Sequence, residues 1–105
     1  MAKRAIIKAI KNYLQLLEEQ GISIEKAYLF GSYSKNKETE DSDIDLLIVS
    51  NQFDLRDDYS IGKIWALTRK INSKIEPYIV TTEGFYADEV SPLIQIVKQE
   101  GIEIT

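Results

Sequence analysis

LFGSYSKNKETEDSDIDLLIVS, residues 29–50, passes from an apolar pair through Gly31-Ser32, crosses a polar stretch, and returns through Asp43-Ile44-Asp45 to an apolar run. Ile44 to Val49 is apolar apart from Asp45, the pattern of a central strand covered on both faces. Side chains alternate along a strand, so Asp43 and Asp45 share one face. Two carboxylates on one face repel each other, and burying charge is costly unless something compensates. A divalent cation between them would compensate. Mg²⁺ takes oxygen ligands, commonly one or two carboxylates together with substrate phosphates.

Gly31-Ser32 fits the same chemistry. Gly permits a tight turn and a close backbone approach. A short helix starting at Ser32 would aim free N–H groups and a hydroxyl at an anion. Taken alone, Gly31-Ser32 is a turn with a helix cap. With the Asp pair it becomes half of a site for a nucleoside triphosphate with Mg²⁺. A third carboxylate would complete a two-metal site, in which one ion activates the attacking oxygen and the other holds the leaving phosphates. Glu76, in Lys-Ile-Glu-Pro-Tyr-Ile-Val, is the candidate because it is set into an apolar strand. Its plain alternative is an exposed edge residue paired with Lys74.

Outward from this core, Ile6, Ile7, Ile10, Tyr13, Leu14 and Leu17 recur at helical spacing over residues 3–19, and Gly21 is a stop. Residues 26–30 read as a buried strand. Residues 51–58 read as a polar loop. Asp57 or Asp58 caps a helix to about residue 72, with Ile61, Ile64, Trp65, Thr68 and Ile71 as its core face. Residues 75–80 read as a third strand, placed at an edge by Pro77. Residues 83–88 read as a turn of helix. Ser91-Pro92 opens a helix to Glu100, Gly101 ends it, and 102–104 form a last strand. The connection from Gly31 to Asp43 is short for a parallel crossover, so the first two strands are expected to be antiparallel neighbours. The fold class is α/β (α+β): a small mixed sheet flanked by helices, in a single domain over residues 1–105.

Composition narrows the chemistry. The chain has no Cys and no His, which removes disulfides, thiolate chemistry, the commonest zinc ligand and the commonest general base. Ser32 therefore has no histidine to make it a nucleophile. A net charge of −4 argues against nucleic acid as the direct acceptor. No run approaches the roughly 18 apolar residues of a membrane span, and Lys8 and Lys11 break the N-terminal apolar stretch, so a cytoplasmic protein without a membrane partner is expected. Ser34, Lys35 and Lys37 read as a solvated loop, and Arg56, Lys63, Arg69 and Lys70 as solvated helix charges. Tyr28 and Tyr33 flank the Gly-Ser turn, with packing as their default role.

Gly31-Ser32, ten residues, then Asp43-x-Asp45 resembles the signature of the DNA polymerase beta-like nucleotidyltransferase superfamily. At this length, four fixed residues at such spacing arise by chance in roughly one chain in a thousand. The small size resembles the minimal nucleotidyltransferases, many of them antitoxins paired with HEPN-domain toxins. The resemblance implies a nucleotidyltransferase fold and nucleotide binding by Gly31 and Ser32. It implies a two-metal Mg²⁺ site held by Asp43, Asp45 and Glu76, the same three being catalytic. The implied reaction moves AMP from ATP to a hydroxyl on a partner protein, a HEPN-type toxin. A binding module that neutralises its partner by complex formation alone is the alternative. Intact Gly31, Ser32, Asp43 and Asp45 favour the enzyme, because a purely structural antitoxin has no physical need for a crowded carboxylate pair.

Overall fold

A computed structural model describes residues 3–39, 41–51, 56–87 and 91–104. The elements are α1 (Lys3–Glu19), β1 (Lys26–Phe30), β2 (Ile44–Ser50), α2 (Asp58–Leu67), β3 (Ile75–Thr81), α3 (Thr82–Phe85), α4 (Pro92–Glu100) and β4 (Ile102–Glu103). The sheet order is β3-β2-β1-β4. β1 lies antiparallel to β2 and to β4, whereas β2 and β3 run parallel, with α2 in the crossover between them. The antiparallel pairing of the first two strands and the edge position of the Pro77 strand agree with the sequence reading. An edge strand tolerates the missing donor of Pro77.

The side chains of β2 divide the core. Ile44, Leu46 and Ile48 face one side with Ala27 and Leu29, under Ile6, Ile10, Leu14 and Leu17 of α1 and Ile64 and Leu67 of α2. The hydroxyl of buried Tyr13 donates to the Ile64 carbonyl at 2.6 Å and ties α1 to α2. Leu47 and Val49 face the other side with Phe30, under Phe85, Ile94 and Val97. α1 closes on Gly21 at φ +87°, where Gly21 N–H donates to the Glu18 carbonyl and Ile22 N–H to the Leu17 carbonyl. That conformation costs Gly nothing sterically.

Three expectations are corrected. The second helix is α-helical only to Leu67 and continues as a 3₁₀ turn over Thr68–Lys70, where the Thr68 hydroxyl donates to the Trp65 carbonyl at 2.7 Å. Trp65 is not core: Ile64 and Leu67 fill the inner face, and Trp65 is left 45% exposed. The helix after β3 starts at Thr82, capped by the Thr81 hydroxyl, and ends at Phe85. Asp57 caps α2 and Ser91 caps α4, as expected. Half of the polar 51–58 loop, residues 52–55, lies outside the described residues. Among the described residues no helix is long and apolar enough to cross a membrane.

Candidate active site

The site forms where the N-terminal ends of two parallel strands meet. Register sets Asp45 of β2 directly opposite Glu76 of β3 and, on its other side, Phe30 of β1. Neighbours on one face of a sheet have β-carbons about 5 Å apart, so register alone places these carboxyl groups together. Asp43 lies just before β2 and is exposed. Burial, followed by the charges of Glu76 and Asp43 and a hydrogen bond with Glu76, raises the Asp45 carboxyl to about 6. A shift of that origin marks the carboxylates as crowded, the condition the sequence posed.

The Gly31-Ser32 turn closes the other wall. A 3₁₀ turn spans Gly31–Tyr33, with Gly31 at φ +75°. A β-carbon at Gly31 would overlap the Asp45 Oδ2 carboxylate oxygen, so glycine is required by conformation and by space. The Ser34 N–H and hydroxyl return to the Gly31 carbonyl at 3.1 and 2.9 Å. The first N–H groups of such a turn have no partner within it. The Ser32 hydroxyl makes no hydrogen bond among the described residues. Gly31 therefore holds a polar turn against the carboxylate pair.

Residues 7–103 match the family described as nucleotidyltransferase domain. The chain belongs to that family. It is 38% identical over 79 residues, 74% of its length and 76% of the relative's, to a protein of Methanocaldococcus jannaschii named "Putative protein adenylyltransferase". The fold is similar to the crystal structure of a "putative nucleotidyltransferase" from Sulfolobus solfataricus. That likeness has a TM-score of 0.66 at 15% identity and covers 96% of this chain and 80% of the other.

In this nucleotidyltransferase domain Asp45 and Glu76 are brought into contact, and Asp43 acts on Asp45 through its charge. Among the described residues no three acidic side chains are drawn together closely enough to hold a metal ion. The Asp45–Glu76 pair fits one Mg²⁺ ion completed by substrate phosphates, since hard cations need only one or two carboxylates in that setting. A second ion would draw on Asp43, whose charge already bears on Asp45 and Tyr78.

Tyr78 was not singled out by the sequence, although it belongs to this wall. Its hydroxyl donates to Glu76 Oε2 at 3.3 Å, and its ring meets Phe30 at a centroid distance of 5.4 Å. Burial first, then the charges of Asp45 and Glu76, raise its phenol. The signal was available in the alternation of β3, which puts Glu76 and Tyr78 on one face. The two tyrosines beside the turn pack, as expected. Tyr33 is buried in the core under α1 and α2, and Tyr28 stacks on Phe85 at 5.5 Å. Lys35 pairs with Glu100 of α4 at 3.2 Å, so it braces the loop.

Proposed function

We propose that this nucleotidyltransferase domain moves AMP from ATP to a hydroxyl group on a partner protein. The observation that carries the reading is the register that faces Asp45 with Glu76 while the Gly31-Ser32 turn abuts Asp45. The name of the M. jannaschii relative supports protein as the acceptor class.

In this reading the Ser32 hydroxyl and the N–H groups of the turn bind the triphosphate. Asp45 and Glu76 would hold Mg²⁺, with Asp43 joining them if a second ion binds. The ion would neutralise charge on the phosphates and polarise the bond to the leaving pyrophosphate. Glu76 takes the proton of the acceptor hydroxyl, the role left to a carboxylate in a chain without histidine. Gly31 keeps Asp45 and the turn in contact, so nucleotide and carboxylates share one rigid frame. The partner that the sequence resemblance suggests is a HEPN-type toxin, silenced when its hydroxyl is modified, with this chain as the antitoxin.

The test combines two measurements. Isothermal titration of the chain with ATP, with and without Mg²⁺, should show binding that requires the metal. Co-expression with a candidate helical toxin, followed by intact mass, should show adenylyl mass on the toxin that is lost with Asp43→Asn. Absence of Mg²⁺-dependent binding at millimolar ATP would sink the enzyme reading. Efficient transfer to free RNA by the isolated chain would sink the protein acceptor.

A further inference from the structure

The geometry points to the outer face of α2 as a self-association surface, occupied by α2 of a second copy of this chain packed antiparallel to the first. α2 turns large aromatic side chains outward: Tyr59 is 78% exposed and Trp65 45%. Exposed Gly62 and Ala66 lie between and beside them, and a β-carbon at Gly62 would meet nothing within 4 Å. A helix with its largest aromatics in water and small residues at the centre of the same face has an unsatisfied side. Small central residues let a second helix approach closely.

The charges select the occupant. The outer face begins at Asp58 and ends at Arg69 and Lys70, all exposed. Arg69 and Lys70 make no ion pair among the described residues. An isologous contact places the same patch on both sides of a two-fold axis, so the patch must complement itself when reversed. This one does. With the axis near the middle of α2, Gly62 faces Ala66 of the second copy. Asp58 lies one turn before Gly62 on the same stripe, and Arg69, on the 3₁₀ turn that continues α2, lines a cleft with Gly62, Trp65 and Ala66. Reversal therefore brings Asp58 to the second copy's Arg69. Beside Arg69 runs a cleft of about 370 Å³, lined by Gly62, Trp65, Ala66, Thr68, Arg69 and Ser73, which would receive the second copy's Asp58. α2 packs on the sheet face opposite Asp45, so pairing leaves the carboxylate site open.

The experiment is sedimentation equilibrium of the full chain over a range of protein and salt concentrations. A dimer that weakens with added salt is expected, since exposed charge pairs are screened. Asp58→Lys and Arg69→Glu should each weaken dimerisation by about fivefold, the scale of two exposed ion pairs per dimer. The double variant should restore it. Gly62→Gln separates pairing from folding: it should raise the melting temperature, because Gln favours a helix more than Gly does, and yet abolish the dimer. A chain that stays monomeric in low salt at the highest attainable concentration overturns the inference. So does a dimer indifferent to Gly62→Gln and to both charge reversals.

Discussion

Gly31 and Asp45 come from opposite ends of the 31–45 connection and meet so closely that a β-carbon on Gly31 would occupy the space of Asp45 Oδ2. Gly31→Ala therefore meets two penalties. The backbone at φ +75° costs a residue with a β-carbon about 1–2 kcal/mol. The overlap also pushes the Asp45 carboxylate away from Glu76. The expected outcome is a lower melting temperature and loss of Mg·ATP affinity in calorimetry. A variant that binds Mg·ATP as the wild type does would show that the contact is not needed for the site.

Relief of the carboxylate crowding has the opposite sign for stability. Asp45→Asn removes a charge held beside Glu76, and Asp43→Asn removes one that bears on Asp45. In metal-free buffer both variants should melt at or above the wild-type temperature, while transfer to the acceptor is abolished. Clear destabilisation of the metal-free protein by both changes, or full activity in either, would remove these residues from the proposed metal site.

The same crowding gives a pH dependence. The Asp45 carboxyl stands at about 6 in the folded chain against an ordinary 3.8, so the folded state holds this proton more tightly than the unfolded one. Its stabilising contribution is complete below the ordinary value and is lost as pH rises through about 6. Urea unfolding of the wild type and Asp45→Asn, compared in chelator between about pH 4 and pH 8, should show the wild type losing stability relative to the variant across that interval. Added Mg²⁺ should flatten the difference, because a bound cation favours the ionised carboxylate. A constant difference in chelator would mean that Asp45 is not held protonated by the fold.

Much of this site was legible in one dimension because strand alternation and a short connection constrain it strongly. Asp43 and Asp45 share a face by period alone, and Pro77 placed its strand at an edge. Whether Glu76 met the Asp pair could not be read from the sequence, because register between two parallel strands joined by a long crossover is set by the packing of α2 and not by a tight turn. Trp65 shows the complementary failure. Helical spacing admitted it to the inner face, but only the direction of α2 on the sheet decides which side of a broad apolar stripe is covered. Tyr33, by contrast, packs in the core as its default role predicted.

Glu76 and Tyr78 should separate binding from chemistry. Both stand on the face of β3 that carries the site, and the Tyr78 hydroxyl donates to Glu76 Oε2 at 3.3 Å. If Glu76 takes the acceptor's proton, Glu76→Gln weakens one of the two carboxylate contacts proposed for Mg²⁺ and also removes the base. Mg·ATP affinity should therefore fall, and the transfer rate at saturating Mg·ATP should fall further, by on the order of a hundredfold or more. Tyr78→Phe keeps the ring against Phe30 and deletes one hydrogen bond to the carboxylate. One such bond contributes about 1 kcal/mol, so the rate should fall by roughly fivefold while the melting temperature moves little. In the double variant the hydroxyl has no carboxylate left to orient, so adding Tyr78→Phe to Glu76→Gln should cost almost nothing further. Additive losses would mean that Tyr78 acts on the nucleotide or acceptor directly. Equal activity of Glu76→Gln and the wild type would reduce Glu76 to an edge-strand residue with no part in the reaction.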